Sequence, residues 1–190
     1  QRLQRINSRS LESLLGLARV AVKENNLGMA NEYLEQAVGL DVNNPEIYTR
    51  RASVKKMMGN HNGAVEDLIV ALSIDSKNQK ALESLVDYGN TNYVATINGL
   101  TNAIRQAPNV GMYRYIRGVI AQAHYNYLSA IDDYKYIIDN RLYNYSGLNA
   151  SIAECQFYLG RFDEALKEIN YVLGTPGATN NAGYFMLKSK

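Results

Sequence analysis

The chain has no tryptophan, one cysteine, two histidines and three prolines in 190 residues. A single cysteine, Cys155, excludes an internal disulfide framework and a cysteine-based zinc site. His61 and His124 are far apart in sequence and show no metal-ligand spacing of the H-x-x-x-H kind. No apolar run approaches the roughly 18–20 residues of a membrane-spanning helix. Neither sign of charge dominates, with 20 Lys and Arg against 18 Asp and Glu. That balance argues against a dedicated nucleic-acid or membrane-surface protein. A mild basic bias sits at the N-terminal end, where residues 1–60 carry nine basic and six acidic side chains. The chain opens on Gln1 with no signal-like apolar segment, and reads as a processed form or an excised piece. Composition leaves the compartment open: a soluble chain, in the cytoplasm or, after processing, outside it.

What the sequence does contain is an interval. Ala30, Ala64, Ala130 and Ala165 are separated by 34, 66 and 35 residues. Ala37, Ala71, Ala103, Ile137 and Val172 follow at steps of 34, 32, 34 and 35. Self-similarity near 34 residues marks a paired-helix repeat. Each copy begins with an apolar helical stripe, such as Leu14, Leu17, Ala18 and Ala21. A short turn follows, and Gly59 and Gly160 sit where a first helix must stop. The second helix carries an alanine where two backbones approach closely. Pro45, Pro108 and Pro176 fall between copies, and nothing reads as a strand with hairpin turns.

These residues resemble the tetratricopeptide repeat. Copies over 11–44, 45–78 and about 146–179 supply the large, small and helix-stopping residues of that pattern, among them Tyr48, Ala52, Gly59, Ala64 and Leu68. Copies over about 79–110 and 111–145 depart from it. Thr96 stands where the close-packing alanine belongs, and Arg114 and Arg117 stand where apolar residues are expected. The resemblance implies an all-α, right-handed superhelical solenoid of antiparallel helix pairs, about five units forming a single domain over 1–190. Residues 180–190 would be a capping helix or the start of a sixth unit, with Tyr184, Phe185 and Leu187 covering the last apolar face. Arg2, Arg5 and Arg9 around Leu3 and Ile6 suggest an added N-terminal helix.

The resemblance also implies a function: a noncatalytic scaffold that binds a peptide or partner segment in a concave groove. The alternative is a helical accessory region of a longer enzyme or of a secretion or assembly component. Self-association through an uncapped end is a third expectation. Carried onto this chain, the groove positions include Thr49, Arg50, Ser53 and Lys56, then Lys80, then Tyr115, Phe157 and Tyr158. The partner expected there is an acidic or aromatic-anchored segment of a protein. The carboxylate clamp of the family's chaperone-tail binders is matched only by Lys80. Two features stay open. The run Arg50, Arg51, Lys55 and Lys56 reads as an anion site or as a solvated face covering apolar neighbours. Eight of the fifteen tyrosines fall in 113–145, as a partner patch or as interhelix packing, with Tyr134 in the core.

No cofactor, metal or catalytic role is expected. "GATNNAG" lacks the lysine of a phosphate loop. Cys155 lies mid-helix close to Ala153 and Phe157, as a buried thiol would. Asp132, Asp133, Asp163 and Glu164 are placed in the first turns of second helices, where negative charge suits the dipole.

Overall fold

The computed structural model describes residues 10–142 and 147–174. The expected added helix at the N-terminus, the terminal helix over 180–190, Pro176, Tyr143 and Tyr145 lie outside them. Among the described residues every regular element is α-helical. The helices are α1 (Leu11–Lys23), α2 (Leu27–Leu40), α3 (Pro45–Met57), α4 (His61–Ile74), α5 (Gln79–Thr91), α6 (Tyr93–Gln106), α7 (Gly111–Ala123), α8 (Tyr127–Asp139), α9 (Leu148–Tyr158) and α10 (Phe162–Gly174). The chain divides into two compact units, 1–99 and 100–190, with the boundary inside α6.

In the first unit each helix packs on its predecessor, from α1 to α5. Its core gathers Leu14, Ala18, Ala30, Leu34, Ala37 and Ile47, all buried. Ala64 and Ala71 are buried in α4. Asparagine starts the helices: the side chains of Asn26, Asn44, Asn60 and Asn78 accept from the backbone N–H groups of Met29, Glu46, Gly63 and Ala81. Four of the many asparagines thus have a local structural use, and Pro45 follows its cap at the first helical position.

In the second unit α7, α8, α9 and α10 pack in order. Ala130, Tyr134, Ile137, Leu148, Ile152 and Cys155 form its core. The Tyr134 hydroxyl donates to Gln122 Oε1 at 3.0 Å, and Gln122 Nε2 donates to Glu154 Oε2 at 2.8 Å. Gly118 gives the Tyr134 ring its room: a Cβ there would lie 2.5 Å from Cε1.

Link length separates one hairpin from the rest. Three residues join α1 to α2, α3 to α4, α7 to α8 and α9 to α10, whereas Asn92 alone joins α5 to α6. Each three-residue link holds its middle residue at positive φ: Asn25 (57°), Gly59 (77°), Tyr125 (61°) and Gly160 (73°). The α5–α6 link has no such residue. Thr96, in place of the usual alanine, is fully buried and donates its hydroxyl to the Asn92 carbonyl at 3.0 Å. That satisfied bond lets a threonine stand where a hydroxyl would otherwise be stranded.

Charge is buried at two related places. Arg51 Nε and Nη2 donate to both oxygens of Asp67 at 2.8 and 2.7 Å, and Lys55 Nζ lies 2.9 Å from Asp67 Oδ2. Sixty-six residues on, Arg117 Nε and Nη2 donate to both oxygens of Asp133 at 2.7 Å each, and Arg114 Nη1 reaches Asp133 Oδ1 at 3.1 Å. Both carboxylates are almost wholly buried. Asp132 and Asp133 therefore do not serve the first turn of a helix, as their sequence position suggested: α8 begins at Tyr127, and Asp133 sits mid-helix as a buried counter-ion. Asp163 and Glu164 do lie in the first turn of α10. Removing one partner leaves the others charged and buried, which is worth about 3–5 kcal/mol. Asp67→Ala is expected to lower unfolding free energy by about that amount in urea titration. Replacing Arg51, Lys55 and Asp67 together by apolar residues of similar volume is expected to recover most of it.

Candidate functional site

The basic run of α3 does not form one patch. Arg51 and Lys55 turn inward to Asp67. Arg50 pairs with Glu46 one turn back, Nε at 3.0 Å and Nη2 at 2.6 Å. The hydrogen bond and charge of Arg50, with a smaller contribution from Lys80, hold the Glu46 carboxyl below its usual range. Lys56 Nζ lies 3.7 Å from Asp87 and 5.1 Å from the centre of the Tyr88 ring. Ser53 and Lys80 are exposed. Thr49 is not available to a ligand: it is 2% exposed and its hydroxyl donates to the Pro45 carbonyl at 2.9 Å. The exposed strip of α3 and α5 is thus of mixed sign, and most of its cations already have an anionic neighbour.

The aromatic residues behave differently. In the second unit Tyr127 and Tyr158 stack with ring centres 5.2 Å apart and planes 12° from parallel. Phe157 meets Tyr158 and Phe162 edge-on at 5.8 and 5.5 Å, and Tyr125 meets Tyr127 edge-on at 6.3 Å. Tyr158, Phe162 and Tyr125 are exposed, at 58%, 61% and 79%. Tyr115 is half-buried against the second core. Of the expected aromatic positions, the structure brings Phe157 and Tyr158 together and adds Tyr125, Tyr127 and Phe162. A signal for the last two was present: both are the first residue of a second helix, one repeat interval apart.

Tyr125 and Arg141 both hold a positive φ just past a helix end, at 61° and 52°. A non-glycine residue in the left-handed region costs roughly 1–2 kcal/mol. Gly59 and Gly160 avoid that cost at the equivalent place. Tyr125 bears it while burying little of its ring, so interior packing does not repay the strain. The left-handed residue closes the end of α7, where the Asn126 N–H donates to the Ala121 carbonyl at 2.8 Å.

The reactive residues are otherwise engaged. Cys155 is fully buried, and burial pushes its thiol up to about 12, which leaves no thiolate nucleophile at neutral pH. His61 is the first residue of α4, and its Nδ1 is hydrogen-bonded to the Tyr88 hydroxyl. Among the described residues no group of three or more His, Cys, Asp or Glu side chains is placed to hold a metal ion, and no helix is long and apolar enough to cross a membrane.

Helix hairpins packed in sequence order define the class of helical repeat proteins. Residues 11–44 match the family model of the tetratricopeptide repeat. Solved structures with the same fold include YrrB, described as a TPR protein with an unusual peptide-binding site, at 13% identity over 99% of this chain and 96% of that one, TM-score 0.53. A thermophilic TPR protein of Thermus thermophilus aligns at 18% identity over 95% of this chain and 100% of that one, TM-score 0.50. MamA aligns at 19% identity over 86% of this chain and 90% of that one, TM-score 0.50. A curated relative, cellulose synthase operon protein C of Pseudomonas fluorescens (strain SBW25), is 39% identical over 62 residues. That stretch is 33% of this chain but 5% of the relative's length. Residues 11–44 are a tetratricopeptide repeat, and the described helices share the fold of solved tetratricopeptide repeat proteins.

If the Tyr125 ring is displayed for a partner at a conformational cost, Tyr125→Gly raises stability. The expected gain is roughly 0.5–1 kcal/mol, with unchanged helicity, by thermal and urea unfolding. A loss would mean that the ring is held for packing.

Proposed function

We propose that this chain is a noncatalytic scaffold for protein–protein interaction, and that it holds an extended segment of a partner protein by apolar or aromatic side chains laid on the ring cluster of the second unit. The tetratricopeptide repeat fold implies the scaffold role. The observation that carries the finer reading is Tyr125, exposed beside the stacked pair Tyr127 and Tyr158. Aromatic side chains give large contact area with few rotatable bonds, so little entropy is lost when a ligand settles on them. Mutual ring contacts among Tyr127, Phe157, Tyr158 and Phe162 hold the surface ready before the partner arrives. The strip of α3 and α5 is the weaker candidate, because Glu46 and Asp87 already neutralise Arg50 and Lys56.

The partner is to be captured from native extract, identified by mass spectrometry, and its binding segment titrated by fluorescence polarisation. Tyr158→Ser with Phe162→Ser is expected to weaken binding by roughly tenfold or more, with circular dichroism unchanged. Arg50→Glu with Lys56→Glu is expected to change it by less than about threefold. The reverse pattern would move the site to α3 and α5 and make the ligand acidic.

A second reading, a helical accessory region of a longer enzyme or assembly component, is favoured by one observation: the curated relative is about twenty times longer than the matched stretch. The mass of the native protein recovered from its source separates the two. A chain far longer than 190 residues supports the accessory role, and one of about this length supports the free-standing scaffold.

A further inference from the structure

The one-residue link between α5 and α6 has a consequence away from the aromatic cluster. With Asn92 as the whole link, the first turn of α6 stands beside the turn that joins α3 to α4, and a cavity of about 670 Å³ opens between them in the first unit. It is a cleft open to solvent over much of its extent, with a volume in the range of small-molecule sites.

The chemistry of its wall is unusual for a surface of such mixed charge. Asn60, Asn62, Asn92 and Asn98 line it, with Tyr93 and His61. No carboxylate, ammonium or guanidinium belongs to the lining. A charged ligand would find no counter-ion there. An uncharged ligand rich in hydroxyls would find what it needs. Each carboxamide offers a donor and an acceptor side by side, and a sugar hydroxyl both donates and accepts. Asn60 Oδ1 is committed to the Gly63 N–H at 3.0 Å, and Asn92 Nδ2 to Thr91 Oγ1 at 3.2 Å. Asn62 and Asn98 have no such commitment among the described residues and are exposed. His61 is tied through Nδ1 to the Tyr88 hydroxyl, which leaves Nε2 for a ligand. Tyr93, Val94 and Ala95 supply apolar surface against which the C–H face of a pyranose can rest.

We propose that this cavity binds a neutral saccharide, one or two pyranose rings in extent, with Asn62 and Asn98 as its principal hydrogen-bonding residues. The proposal stands independently of the aromatic cluster, which lies in the other unit.

The test is a ¹H–¹⁵N NMR titration of the full chain with cellobiose, maltose and N,N′-diacetylchitobiose, each separately, and with inorganic phosphate as a fourth probe. Saturable shifts confined to the residues around Asn62, Asn92 and Asn98 are expected with at least one disaccharide and not with phosphate. Asn62→Ala with Asn98→Ala is expected to weaken that binding roughly tenfold, with melting and circular dichroism unchanged. Three results would each overturn the proposal. The first is no saturable shift with any of the disaccharides. The second is the same shifts with phosphate, which would make the cavity an anion site at helix N-termini. The third is full saccharide affinity in the double variant.

Discussion

Two antiparallel helices can approach only as far as their facing side chains allow. Ala30, Ala64 and Ala130, each with essentially no exposed surface, set that distance in α2, α4 and α8. A larger residue at any of these places would push the second helix outward and open the core beneath it. Thr96 shows how the constraint bends without breaking. Its hydroxyl is absorbed by the carbonyl of the preceding turn, and its hairpin is the one with the shortened link. Gly118 meets the same need from the opposite helix, leaving space for the buried Tyr134 ring.

A second constraint is electrostatic. Asp67 and Asp133 occupy equivalent places two repeats apart, and each is gripped through both oxygens by an arginine sixteen residues earlier. A fork-shaped guanidinium that meets both carboxylate oxygens fixes the rotation of one helix against the other, which apolar packing does more loosely. Both pairs recruit a further cation, Lys55 in one hairpin and Arg114 in the other. The hydrogen bonds to Asp67 keep the Arg51 guanidinium charged against its burial. These ion pairs also remove cations from the surface, so the α3 face is less basic than its composition suggests.

With faces and charges used in this way, the sites of interest lie at the turns. At the α7–α8 and α9–α10 turns, aromatic residues gather and one of them tolerates a strained backbone. At the α3–α4 and α5–α6 turns, amide side chains surround a cavity. In both cases the repeat supplies rigid helices, and the link residues supply the chemistry, which a solenoid can vary without disturbing its core.

The helical class and the repeat interval were legible in the amino-acid order because they rest on short-range rules. A 3.6-residue periodicity, a glycine where a helix stops and an alanine where helices touch all act within about one hairpin. Tyr134 in the core and Cys155 as a buried thiol follow from the same periodicity. What sixteen or more residues of separation decide was not legible. Arg50, Arg51, Lys55 and Lys56 are neighbours in sequence, yet Arg51 and Lys55 face a carboxylate on the next helix, Lys56 reaches Asp87, and Arg50 alone pairs locally, with Glu46. Thr49 matches a groove position by register, yet tertiary packing buries it. The stacking of Tyr127 on Tyr158, the bond between His61 and Tyr88 and the amide-lined cavity each need two hairpins set side by side. Sequence by itself determined that these helices form and pair, because helix formation and the nearest packing contact are local events. Only the tertiary structure decided which polar and aromatic groups meet, because that depends on the rotation of one helix against the next.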